Sequence, residues 1–120
     1  MQVTLLHGYP DLVGRRRLYV AFGAGPASYV QFAAGPPVSG GDVLAGLPFQ
    51  TYIDSIPGVA VSTDGTIIAI PQVTGTGTRQ TWRFRYFNFG AASPAIGAEV
   101  TAATNLSTKN FQFFLIGGQH

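Results

Sequence analysis

Residues 79–89 read Arg79-Gln80-Thr81-Trp82-Arg83-Phe84-Arg85-Tyr86-Phe87-Asn88-Phe89. In an extended chain Trp82, Phe84 and Tyr86 share one face, and Thr81, Arg83, Arg85 and Phe87 share the other. A one-residue slip would bury both arginines, so the pattern fixes the register of this strand. The ring face is expected in a core. The arginine face is expected outward, available to acidic groups on a partner.

The same period-two reading extends along the chain. Residues 16–22 alternate, with Leu18, Val20 and Phe22 on one side and Arg17, Tyr19 and Ala21 on the other. Residues 109–116 close the chain with both faces apolar: Phe111, Phe113 and Leu115 on one, Phe114 and Ile116 on the other. Such a run suits a central strand or one covered by a partner. Residues 59–63 and 66–70 flank Asp64-Gly65, a strong hairpin signal, and a type I′ turn is expected there. Pro57-Gly58 suits a type II turn. Shorter strands are expected at residues 3–6, 28–32 and 49–56, and residues 72–78 read as a Gly/Thr loop. Residues 98–104 allow either a turn of helix or a strand over 99–102.

Composition agrees. Sixteen glycines and eight prolines are unsuited to helix interiors, whereas nine Phe, five Tyr and abundant Val, Ile and Thr favour strands. The expected fold is all-β, an antiparallel β-sandwich or jelly-roll-like barrel. Residues 1–14, broken by Gly8, Pro10 and Gly14, are expected as an extended N-terminal arm, with residues 15–120 forming a single domain.

Only 10% of the 120 residues are charged, against roughly 25% in an ordinary soluble domain. No run is apolar enough for a membrane-spanning helix, and no secretory signal is visible. A soluble chain made inside a cell is expected, its surface committed largely to other protein.

Candidate chemistry is sparse. The chain has no cysteine, so no disulfide and no thiolate metal site can form. His7 and His120 lie near the termini, and Asp11, Asp42, Asp54, Asp64 and Glu99 are widely separated in sequence. Asp42 is expected to bond its own Gly-rich loop and Asp64 its turn. Gly23-Ala24-Gly25 and Gly75-Thr76-Gly77 lack the ending of a phosphate-binding loop. No catalytic, metal or cofactor residues are assigned.

One constellation merits weight: Arg15, Arg16 and Arg17 with Tyr19, and Arg83 and Arg85 with Phe87. Cations among aromatics can bind single-stranded nucleic acid, as OB-folds do. Here the arginines and the main ring face of residues 79–89 are opposed, so contact with protein is favoured and nucleic acid is disfavoured. Tyr19 and Phe87 are expected as outward aromatics.

The segment Glu99-Val100-Thr101-Ala102-Ala103-Thr104-Asn105-Leu106-Ser107, with the apolar strand at 110–116 and Gly117, resembles the ending of small virion proteins of tailed bacteriophages. The Arg-containing strand after Gly14 and the Gly/Thr-rich stretch before Trp82 are similar to that family too; residues 33–48 have no counterpart in it. The resemblance covers about two-thirds of the chain. It implies a capsid decoration, or cement, subunit on the head exterior, made in the host cytoplasm. It further implies a homotrimer that binds the major capsid protein, with no catalytic residues, no cofactor and no membrane. The alternatives are another virion component (head–tail connector, tail or fibre-associated adaptor) or an OB-like or carbohydrate-binding β-module.

Overall fold

The computed structural model describes residues 1–6, 11–13, 16–47, 53–75, 80–89 and 97–117. Among them are nine strands and no helix: β1 (Thr4–Leu5), β2 (Asp11–Val13), β3 (Arg16–Ala24), β4 (Asp42–Val43), β5 (Ile53–Ser55), β6 (Ala60–Val61), β7 (Ile67–Thr74), β8 (Thr81–Asn88) and β9 (Asn110–Gly117). They form two antiparallel sheets. The first runs β1-β3-β9-β5 with β2 also on β3, and the second runs β4-β8-β7-β6.

Each sheet is built on one long ladder, β3 with β9 from Arg17↔Gly117 to Ala24↔Asn110, and β7 with β8 from Ile67↔Asn88 to Thr74↔Thr81. Period-two patterning then supplies the core. Trp82, Phe84 and Tyr86 of β8 point inward, as do Phe111, Phe113 and Leu115 of β9. Phe84 meets Phe113 edge-on at 5.0 Å, and the rings of Tyr86 and Phe111 lie 5.3 Å apart. These ring pairs tie the sheets together, and burying each ring supplies most of the local driving force.

Loops complete the core. Tyr29 is expected on a short strand at 28–32 but lies in a loop, where its backbone bonds Thr104 and Ala103. Its ring is buried edge-on to Tyr86 at 5.3 Å, so it acts as a plug. Residues 98–104 form neither alternative in full: Glu99 makes one bridge to Phe87, and Ala103 turns the chain with φ 67°. Together with β4 and Val100, this segment bonds the edge of β8 that would otherwise be open.

The hairpin at Asp64-Gly65 forms, with Ala60↔Ala69 and Val61↔Ile68. Its turn differs from expectation. Gly65 N donates to Ser62 O and Ser62 N donates to Ile67 O, giving a four-residue connection in which only Gly65 takes positive φ. The Asp64 carboxylate accepts from Thr66 N at 3.1 Å and Thr66 Oγ1 at 2.7 Å, bonds a two-residue type I′ turn would not offer. Gly58 takes the positive φ expected after Pro57. β7 continues through Thr74, so the loop expected over 72–78 begins later. Pro71 is tolerated there because β6 pairs β7 only at Ile68 and Ala69, leaving its other edge open beyond.

The N-terminal segment also departs from the expected arm. β1 and β2 both pair with β3 of the same chain, Val3 is buried, Val3 N donates to Ala45 O, and Ala45 N donates to Met1 O. Apolar Val3 and Leu5 find cover in their own core, which holds residues 1–5 against their own sheets.

Candidate functional site

The arginine constellation does not form one site. Arg16 and Arg17 are exposed at the start of β3 in the first sheet; Arg83 and Arg85 lie on β8 in the second. Arg15 falls outside the described residues. Arg83 Nη1 donates to Gly40 O at 2.7 Å. Arg85 stacks between Phe32 (4.8 Å) and Phe87 (5.2 Å) and stands 3.6 Å from Glu99 Oε1. The acidic group expected on a partner is therefore supplied within the chain. Glu99 Oε2 also accepts from Tyr29 OH at 2.7 Å and Phe32 N at 3.1 Å. Burial, then the bond to Glu99, raises the Tyr29 phenol well above its ordinary range. This cluster fastens the 29–32 loop to β8; Phe87, half-buried beneath Arg85, belongs to it.

Tyr19 is a correction. It is 8% exposed and packs in the core, not outward. The parity of β3 puts Tyr19, Ala21 and Gly23 against the second sheet, and Arg17 shares that parity but emerges where β3 pairs with Gly117. Asp42 is another. It is buried, accepts from the N-terminal ammonium of Met1 and from Tyr86 OH, and does not serve its own loop. Its pairing with Phe84 turns its carboxylate inward. Burial, then Asp42, raises the Tyr86 phenol.

What the turned parity leaves outside is the candidate site. On the outer face of the first sheet, Val20 pairs with Phe114 and is bonded by Leu6 N at 2.9 Å. Leu18 pairs with Ile116 on one side, and Phe22 stands between Thr4 and Gln112 on the other. Leu6 is 50% exposed, Phe22 41% and Phe114 47%; Leu18, Val20 and Ile116 are half-buried. Among the described side chains of β1, β3 and β9, the only charged group of this parity is Arg16, at the end of the stripe, and the register of β2 sets Asp11 opposite Leu18. A groove of about 380 Å³ lined by Pro57, Val59, Gln112, Phe113 and Phe114 borders the patch. Contiguous apolar area of this kind on a water-facing sheet marks an interaction surface.

The signal for this face was in the two-sided apolarity of residues 109–116 and in Leu18, Val20 and Phe22, but nothing local says which side of β3 is covered. Among the described residues no group of three His, Cys, Asp or Glu side chains could hold a metal ion. No helix among them is long and apolar enough to cross a membrane. No protein-family model matches the chain, and no curated protein or solved structure does either.

Proposed function

We propose that this protein is a non-catalytic structural subunit of a virion, a capsid decoration protein that binds across capsomers of a tailed-phage head. The observation that carries this reading is the apolar row of Leu6, Leu18, Val20, Phe22, Phe114 and Ile116 on the outer face of the first sheet. A sheet face this apolar is stabilised by cover from other protein, and a decoration subunit acts through the interface it buries. The stacked sheets are read as a β-sandwich. The nesting of β3 with β9 around β4 with β8 supports a jelly-roll-like course. The engagement of Arg83 and Arg85 within the chain leaves fewer of their donors for phosphate. An oligomer of such subunits, a homotrimer if the family resemblance is followed, would add avidity at the shell, and the decoration reading does not depend on the number of copies.

The test compares heads assembled with and without the protein. Heads carrying it should withstand heating and low ionic strength better, and a cryo-EM map should show copies distributed over the shell. Equal head stability, or density confined to a single ring at the portal vertex, would exclude decoration; the latter would favour a connector role.

A further inference from the structure

We infer that the outer face of the first sheet is a self-association surface, covered by a second copy of this chain packed face to face about a two-fold axis. This rests on the reading of that face as a protein-binding site and names its first occupant.

Size is the first argument. β3 and β9, nine and eight residues at ~3.3 Å each, with the two- and three-residue strands β1, β2 and β5 beside them at ~4.8 Å spacing, span at most roughly 20 by 28 Å. That is on the order of 550 Å² before side-chain relief. Two such faces would together bury up to roughly 1,100 Å², near the ~1,000 Å² that a specific interface should clear.

Charge is the second. An acidic or basic partner would be met by complementary charge, whereas this parity of β2 and β3 carries Arg16 at one end and Asp11 at the register position opposite Leu18, one residue of each sign. A second copy brings the same apolar rows, one residue of each sign to set against this copy's and, at a net charge of +2, little repulsion.

Geometry is the third. β3 and β9 are antiparallel neighbours at the middle of the sheet and set Val20 beside Phe114, so a two-fold axis parallel to the sheet and lying between the copies would stack these rows on their equivalents. An isologous contact places the same patch on both subunits, and twisted sheets stack face to face about 10 Å apart with their side chains interleaved. Such closure predicts a dimer in solution, in place of the trimer the resemblance implies.

The experiment uses the full chain. Light scattering coupled to gel filtration should give twice the 12.7 kDa chain mass. Phe114→Glu and Phe22→Lys should each return it to monomer, with the far-UV circular dichroism unchanged. Because the chain has no cysteine, single replacements report cover directly. A maleimide should label Phe114→Cys at least tenfold more slowly than Val30→Cys, which lies on a 60%-exposed loop residue away from the face. A monomeric wild type, a trimer, or a dimer in which position 114 labels as fast as position 30 would each overturn the inference. A monomer that still stabilises heads through Phe114 would sink the dimer and leave the proposed function standing. A dimer without effect on heads would do the reverse.

Discussion

At the scale of single residues, the few ionisable groups are spent on fixing loops. Asp64 accepts from Ser62, Thr66 and the Lys109 ammonium, and these bonds, Lys109 first, hold its carboxyl well below the ordinary range. A depressed folded-state value means that the contribution to stability is present above about pH 4, the ordinary unfolded value, and is lost as pH falls below it. Urea melts from neutral to strongly acid pH should therefore show less acid destabilisation in Asp64→Asn than in wild type. An unchanged slope would refute the role. Glu99 works harder, because Tyr29 is buried. Glu99→Ala leaves the Tyr29 hydroxyl and Phe32 N without their carboxylate, and the expected loss is about 1–3 kcal/mol by urea denaturation. Glu99→Gln keeps an acceptor and should recover much of it.

At the scale of elements, β9 carries the contrast on which the molecule turns. Phe113 and Phe114 are neighbours of identical chemistry on opposite faces of one central strand. Phe113 packs edge-on against Phe84, so Phe113→Ala should cost about 3–5 kcal/mol of folding stability. Phe114 is half open to solvent, and Phe114→Ala should cost the isolated fold less than about 1 kcal/mol while weakening association. Paired urea melts, read with sedimentation at low and high protein concentration, separate the two. Equal folding losses would mean that the outer face is not a free surface. The hairpin teaches a smaller lesson. Asp-Gly between β-rich runs marked its position, but the side-chain bonds of Ser62, Asp64 and Thr66 selected a four-residue connection.

At the scale of the whole molecule, sparse charge and an open apolar sheet give one expectation about solution behaviour. An interface held by the patch should persist as sodium chloride is raised and strengthen in ammonium sulfate, because excluded salts favour apolar burial. An interface held by exposed arginine–carboxylate pairs would instead weaken as salt screens them. Self-association measured by sedimentation across both salts distinguishes them, and a steep loss in sodium chloride would overturn the apolar assignment.

Sequence alone determined the all-β class, the core face of β8 and the place of the hairpin; for β9 it marked two apolar faces and left open which is inside. Each is a local property: period two defines faces, rings opposed to arginines label them, and Gly or Pro ends runs. Residues 16–22 show where that logic stops. Both faces of β3 hold apolar groups, and alternation separates them without saying which is inside. The pairing of β3 with β9, and the stacking of β9 on β8 through Phe113 and Phe84, settled it by burying Tyr19 and Ala21 and leaving Leu18, Val20 and Phe22 outside. Likewise Glu99 and Arg85 are distant in sequence, as are Asp42 and Tyr86, and met only once the sheets assembled. Faces are set by neighbours along the chain; which face is covered depends on contacts that no local pattern encodes.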